Sequence, residues 1–328
     1  MTTLWDTTGT DVVKALGAER RAHGAVASGL ALSLVVVVYE THVADAELAA
    51  TRAAAEHPCR LIIVVRRRPD APESRLDAEV LIGGRLGPGE AAVLRMYGRL
   101  ALHAESVVLP LLAPDAPVVT WWFGVPPHLI AHDPLGVLAD RRVTDATLAP
   151  DALLALGRRG ADYVPGDTDL SWTRATPWRS LCALAFDDVT SPATAATVTG
   201  PAGDPTRALL AGWLAVCLSV PVEQVDGAVL SEVHVALEEG EVLIRRVNDT
   251  AALLQRTGKP DRMMPLEPTH LGDLLAEELR RLDADETYGA ALAVATGTAT
   301  SEGPVRPRRH VWHDPTSAST PDPALTTS

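Results

Sequence analysis

Lysine, cysteine and aromatic side chains are all scarce in this chain of 328 residues. The three cysteines, Cys59, Cys182 and Cys217, form no CxxC pair and have no metal-ligand spacing, which argues against a disulfide framework and a zinc ribbon. The longest aliphatic run, from Leu30 to Tyr39, is half the length of a membrane span, and no basic segment followed by an apolar one opens the chain. These absences predict a cytoplasmic protein without a membrane anchor.

Positive charge is also in short supply. The chain has 29 Lys and Arg against 42 Asp and Glu, for a net charge of −13. Because such a field repels polyanions, nucleic acid and anionic membranes are not expected as partners. At roughly 150 residues per domain, the length predicts about two domains.

The apolar pattern of the first half is typical of an α/β domain. The aliphatic runs at 30–39 and 60–65 enclose an alanine-rich helix at 44–56, and this spacing predicts a βαβ unit with two parallel strands. Two further β-rich segments, 76–82 and 91–97, flank a glycine-rich loop and predict a hairpin. We therefore expect a mixed, partly parallel sheet.

The second half predicts an antiparallel meander covered by helices. Residues 229–237 and 241–247 flank a Glu-Glu-Gly turn, which is a hairpin signal, and 251–256 is expected as a third strand. Residues 271–282 predict an amphipathic helix, with leucines on one side and Glu278 among the charged residues on the other. We expect this helix to pack on the meander.

Together the two patterns predict an α/β fold class with two α/β domains. The N-terminal domain is expected over residues 1–160 and the C-terminal domain over 161–298. The second domain begins with a bridging helix at 170–186, which Pro177 interrupts because proline has no N–H to donate. In residues 299–328, Pro, Ser and Thr replace the apolar periodicity and predict a disordered tail.

No motif predicts an active site. Gly87 and Gly89 match a G-x-G-x-x-A pattern, but a strand rather than a helix is expected after them, so a hairpin loop is favoured over a dinucleotide site. His128 and His132 are four residues apart, yet two prolines precede them and no acidic helical partner follows, which favours a loop over a metal site. We therefore predict no catalytic residue, no cofactor and no metal.

The densest group of distinctive side chains lies in residues 166–179. Asp169 or Thr168 is placed to cap a helix start, and the two tryptophans and two arginines that follow have the composition of an interface hot spot. We expect Trp172 and Arg174 to project toward a partner protein and Trp178 to face the core. The alternative is that both tryptophans join the two domains.

Several short motifs follow one another along the chain in a characteristic order. They are His57-Pro58-Cys59-Arg60, Trp121-Trp122, Asp133-Pro134-Leu135-Gly136, Arg141-Arg142-Val143-Thr144-Asp145, Gly166-Asp167-Thr168-Asp169-Leu170 with Trp172, Arg174, Trp178 and Arg179, and Arg280-Arg281-Leu282-Asp283-Ala284-Asp285-Glu286. In this order and spacing the chain resembles the OpcA-type glucose-6-phosphate dehydrogenase assembly proteins, and in particular their actinobacterial branch.

The resemblance implies a non-catalytic protein that binds glucose-6-phosphate dehydrogenase, promotes its active oligomer and raises its activity. That enzyme makes NADPH at the entry to the oxidative pentose phosphate pathway. The candidate partner-binding residues are Trp121, Trp122, Arg141, Arg142, Asp167, Asp169, Trp172, Arg174, Trp178 and Arg179. The competing hypothesis is a metabolite-binding sensor or an enzyme that uses the N-terminal α/β domain, because open α/β sheets bind ligands beyond the carboxyl ends of their strands.

Overall fold

The computed structural model of this chain describes residues 1–22, 30–83 and 89–298. Its strands are β1 (Thr2–Leu4), β2 (Leu32–Val38), β3 (Cys59–Arg66), β4 (Arg75–Ile82), β5 (Glu90–Tyr97), β6 (Val118–Phe123), β7 (Arg141–Thr144), β8 (Asp167–Asp169), β9 (Ala193–Gly200), β10 (Val222–Asp226), β11 (Glu232–Leu237), β12 (Gly240–Asn248), β13 (Ala251–Arg256) and β14 (Arg262–Pro265). Its helices are α1 (Gly9–Ala22), α2 (Val43–Glu56), α3 (Glu105–Val108), α4 (Pro134–Val137), α5 (Ala152–Asp162), α6 (Leu170–Arg174), α7 (Thr176–Phe186), α8 (Pro205–Leu218), α9 (Leu271–Arg280) and α10 (Glu286–Thr296). The predicted tail and most of the glycine-rich loop lie outside the described residues.

The first sheet has the strand order β1-β4-β5-β3-β2-β6-β7-β8. The six strands from β5 to β8 in this order run parallel to one another, whereas β1 pairs with β4 and β4 with β5 in the antiparallel sense. The predicted mixed, partly parallel sheet is therefore confirmed, and so is the hairpin of β4 and β5.

Helices cover both faces of this sheet, which explains the uninterrupted aliphatic runs of its central strands. In β3, Leu61 and Ile63 pack under α2 on one face, while Ile62 and Val64 pack toward α1 on the other. None of the helices in the described ranges is long and apolar enough to span a bilayer.

The second sheet has the order β10-β9-β11-β12-β13-β14. All of its pairs are antiparallel except β10 with β9, so the predicted antiparallel meander is confirmed. Alternate side chains such as Val233, Val235 and Ile244 face α7 and α8 and form a core of their own. The chain is thus an α/β protein with a helix-covered parallel sheet and a second, mainly antiparallel sheet.

The bridge between the halves consists of two short helices. α6 ends at Arg174 and α7 begins at Thr176, with Pro177 in the first turn of α7, as the missing proline N–H predicts. β8 also follows residue 160, yet it pairs with β7 and completes the first sheet. The domain boundary at 160 stays a prediction.

The expected position of the helix at 271–282 is wrong. α9 packs against α2 and the first sheet, where Leu275 and Leu279 join the core that contains Val36 and Leu61. An apolar stripe predicts that a helix has a buried face, but it does not identify the surface that buries it. The following helix, α10, packs on α8 and carries too weak a periodicity to have been predicted.

The close packing of α8 on α10 depends on a glycine. A Cβ built on Gly212 would lie 2.4 Å from the carbonyl oxygen of Ala291, whereas one built on Gly157 in α5 would meet nothing within 4 Å. We expect Gly212→Ala to lower the free energy of unfolding by about 1–3 kcal/mol through overpacking. Gly157→Ala should raise it by about 0.5–1 kcal/mol, because alanine is the better helix former. Thermal unfolding followed by circular dichroism tests both, and equal stability of the two variants would contradict this helix contact.

Candidate functional site

Most of the residues singled out in the sequence meet where β7 and β8 contact the bridge and the two last helices. We call this group the junction cluster. It consists of Arg141, Arg142, Asp145, Asp167, Asp169, Trp172, Thr173, Arg174, Arg179, Glu278 and Asp285.

Arg141 joins the first sheet to α9. Its Nε donates to Glu278 Oε2 at 3.1 Å, its Nη2 donates to the same oxygen, and its Nη1 donates to the carbonyl of Asp283 at 2.8 Å. The other Glu278 oxygen accepts the hydroxyl of Thr173 from α6. Glu278 was expected on the solvent face of its helix, and this is wrong, because its carboxylate is buried among these partners. The ion pair holds β7, α6 and α9 together.

Asp169 is fully buried at the end of β8 and caps α6. Its oxygens accept from the hydroxyl of Thr144 at 2.7 Å, from the N–H of Ala146 at 2.9 Å and from the N–H of Ser171 at 2.9 Å. Burial raises the pKa of this carboxyl, and the charge of nearby Asp145 raises it further. The predicted cap is confirmed, and its oxygens are occupied by the protein itself.

Arg142 and Arg174, which lie near Asp169, are also bound to acceptors within the protein. Arg142 donates through Nε to Asp167, through Nη1 to the carbonyl of Ala139 at 3.0 Å and through Nη2 to the carbonyl of Pro165 at 2.9 Å. Arg174 donates through Nη1 to Asp145 Oδ1 at 2.8 Å and through Nη2 to Asp145 Oδ2 at 2.6 Å.

Trp172 does not project toward a partner, so that expectation is wrong. Its side chain is 2% exposed, its indole N–H donates to Asp285 Oδ2 at 2.9 Å, and the guanidinium of Arg179 stacks 3.5 Å from its ring. Trp178 faces the core beneath the second sheet, as predicted. Asp285 lies 113 residues after Trp172, which is why local spacing could not reveal this partner.

Trp121 and Trp122 lie on β6 and face opposite sides of the first sheet. Trp121 packs with Phe123 under α2 and α9, and Trp122 packs on the α1 side with Leu135. Eight of the ten candidate residues are thus buried and offer no contact surface. Only Arg174, with 27% of its side chain exposed, and the half-buried Arg179 reach the solvent.

The described residues form no group of metal ligands and bury two of the cysteines, Cys59 and Cys182. No group of three His, Cys, Asp or Glu side chains in these ranges could hold a metal ion. Burial raises the pKa of the Cys59 and Cys182 thiols to about 12, so neither is a thiolate near neutral pH.

The point where the strand order reverses, between β2 and β6, is the usual ligand crevice of an open α/β sheet. Here the turn from β2 into α2 contains Glu40, whose carboxylate accepts from Arg67 at 2.9 Å and from Arg95 at 3.3 Å. A dinucleotide site needs glycine backbone N–H groups at this turn, whereas residues 39–42 are Tyr-Glu-Thr-His. This turn therefore lacks the glycines of a phosphate site, and the carboxylate of Glu40 is paired with its two arginine partners.

The fold and this cluster define a two-part α/β protein whose distinctive charged residues form its internal framework. Residues 50–161 match the family described as the glucose-6-phosphate dehydrogenase subunit N-terminal domain, and residues 165–292 match the one described as its C-terminal domain. The two matches cover more than two thirds of the chain, which therefore belongs to the OpcA-type glucose-6-phosphate dehydrogenase assembly family. No curated protein matched the chain significantly.

Several solved structures of oxidoreductases match the chain at low identity and low TM-score. A 3-ketoreductase from Actinomadura kijaniata is 13% identical over 80% of this chain and 95% of its own, with a TM-score of 0.43. An NAD-binding oxidoreductase from Klebsiella pneumoniae is 11% identical over 81% and 94%, with a TM-score of 0.45. These values are too low to transfer an activity to this chain.

The burial of Trp172 leads to a prediction about the free energy of unfolding. Trp172→Ala removes a buried indole and leaves Asp285 Oδ2 without the indole N–H that it accepts, so we expect a loss of about 3–5 kcal/mol in the free energy of unfolding. Trp5→Ala is the matched control, because Trp5 is 69% exposed, and it should change the stability by less than about 0.5 kcal/mol. Circular dichroism melts measure both, and a similar melting temperature for the two variants would refute the assignment.

A second carboxyl close to this region has an altered titration. Asp162, at the end of α5, accepts from the N–H of Ile130 at 3.2 Å and lies 3.3 Å from Arg159. Burial raises its pKa to about 6, although Arg159 acts in the opposite direction.

Because the folded-state pKa of Asp162 exceeds its unfolded value of about 4, the folded protein binds the extra proton, and this group's contribution to stability falls as the pH rises from about 4 to about 6. Asp162→Asn lacks that proton equilibrium. Its melting temperature should therefore gain on that of the unmodified protein across this pH window. Asp187→Asn, which removes an exposed carboxylate, is the control. Parallel pH profiles for Asp162→Asn and the unmodified protein would rule this out.

Proposed function

We propose that this protein is a non-catalytic assembly factor that binds glucose-6-phosphate dehydrogenase in the cytoplasm and activates it at the entry to the oxidative pentose phosphate pathway. The observation that carries the proposal is the family match, in which both halves of the chain correspond to domains described as parts of a glucose-6-phosphate dehydrogenase subunit. Activation through binding requires that the protein prefer the more active state of the enzyme.

The chemistry of the junction cluster supports a non-catalytic role. A catalytic acid, base or nucleophile needs a free hydrogen-bonding position toward its substrate. In the cluster, the guanidinium of Arg141 and the carboxylates of Asp169 and Glu278 already use their hydrogen-bonding atoms on protein partners. We propose that these residues position the surrounding elements, and that contact with the enzyme in this region is made by the partly exposed Arg174 and Arg179.

The sensor or enzyme alternative is less well supported. A ligand site of that kind would use the crevice between β2 and β6, and the turn there lacks the glycine backbone N–H groups that bind a phosphate.

The direct test is a mixing experiment with the purified dehydrogenase of the same source. We expect the two proteins to elute together in size-exclusion chromatography, and the enzyme at limiting concentration to show a higher kcat or a lower KM for glucose 6-phosphate when the protein is added. The protein alone should reduce no NADP. Separate elution with unchanged kinetics at saturating protein would sink the proposal, and NADP reduction by the protein alone would show that it is an enzyme.

A further inference from the structure

The second sheet leaves one of its two faces uncovered. α7 and α8 pack on one side, and no helix from the described residues lies on the other. The uncovered side receives the alternate residues of each strand, and we call it the open face. One row of laterally paired residues crosses it from edge to edge, in the order Val225, Thr199, Glu232, Arg245, Leu253 and Met263. We call this the central row.

The central row has an arrangement that favours pairing with itself. Its two ends are apolar, at Val225 and Met263, and its two middle residues are oppositely charged, at Glu232 and Arg245. Within one chain, Arg245 Nε donates to Glu232 Oε2 at 2.7 Å. A half rotation of the row about an axis parallel to the strands exchanges the positions of Val225 and Met263. The same rotation exchanges the positions of Glu232 and Arg245.

The next row gives the same result. His234 of β11 lies opposite Leu243 of β12, and these two exchange places under the same rotation. On β11 and β12, neither of these exchanges brings like charges together, and such a match is what a two-fold, isologous interface requires.

The exposed ends of the central row are a cost in the isolated chain. Met263 is 62% exposed and Val225 is 38% exposed, at opposite edges of the open face. Burying these two ends against each other removes apolar surface from water, which favours a pairing that brings them together.

The open face is large enough for a stable interface. Six strands spaced about 4.8 Å apart span about 29 Å, and six residues of a strand span about 20 Å. The projected area is roughly 600 Å², and a corrugated side-chain surface exposes more than its projection, which approaches the ~800 Å² per partner of a standard interface.

We propose that the open face binds the open face of a second copy of this chain, with the two-fold axis running along the strands between β11 and β12. In this dimer Arg245 faces Glu232 of the second copy, and Met263 faces Val225 of the second copy, twice each. Two sheets packed in this way stack about 10 Å apart with nearly aligned strands.

The first test is the mass of the full chain in solution, measured by sedimentation velocity over a concentration series. We expect a species of twice the chain mass of 34.7 kDa. Met263→Glu should raise the dissociation constant of this dimer at least about tenfold, since it buries a charge at the interface. Leu48→Glu is the matched control on α2, where Leu48 is 75% exposed, and it should leave the dimer intact. A monomer at every concentration, or a dimer unaffected by Met263→Glu, overturns the proposal.

The second test separates contacts between copies from contacts within one sheet. Glu232→Arg and Arg245→Glu should each be monomeric, because both variants place like charges opposite one another across the two-fold axis. An equimolar mixture of the two variants should regain the dimer mass. In the mixed dimer, positions 232 and 245 are both arginine in one copy and both glutamate in the other. Every charge pair between copies is then of opposite sign, while the pair within each copy is still of like sign. Circular dichroism melts check that both variants fold, and if either does not, the Met263→Glu measurement decides.

Failure to recover the dimer in the mixture of folded variants counts against the proposed axis. The inference does not depend on the dehydrogenase. A monomeric protein whose Met263→Glu variant loses dehydrogenase binding would show that the enzyme occupies the open face, which overturns the dimer and leaves the proposed function standing.

Discussion

The buried ion pair between Arg141 and Glu278 is the interaction on which the arrangement of this molecule depends. Its partners are 137 residues apart in the chain, one on β7 and the other on α9. Removing both charges from water costs several kcal/mol per ion, and the attraction between them offsets this cost only when the remaining hydrogen bonds are also made. The hydroxyl of Thr173 and the carbonyl of Asp283 supply those bonds. The pair is therefore tolerated only when sheet, bridge and late helix are all in position.

The same requirement explains why charged residues with a functional appearance turn out to be internal. Guanidinium groups and carboxylates that hold a framework must be saturated by protein partners, because a half-satisfied buried charge is strongly destabilising. What remains for interaction with other molecules is the outer surface, and there the second sheet differs from the first because the described helices cover only one of its sides. Framework and surface are thus separated in space, and the distinctive sequence motifs belong mostly to the framework.

The sequence predicted those elements whose signal is local. The aliphatic runs of β2 and β3, the hairpins and the break at Pro177 follow from side-chain period and backbone chemistry within a few residues. The docking of α9 on α2 and the burial of Trp172 against Asp285 could not be predicted, because each depends on a partner more than a hundred residues away. The error at Trp172 has a clear physical origin: a buried stack and an interface hot spot both contain tryptophan and arginine, so residue types alone do not distinguish them.

The return of α9 to the first sheet has a consequence for the biosynthesis of this protein. Leu275 and Leu279 cover a surface whose strands are among the first segments to leave the ribosome. Until residue 280 has emerged, that surface and α2 lack part of their apolar cover, and the early half of the chain is exposed to aggregation for most of its synthesis. The chain order therefore leaves this apolar surface of the N-terminal half incompletely covered until α9 has emerged and packed on it.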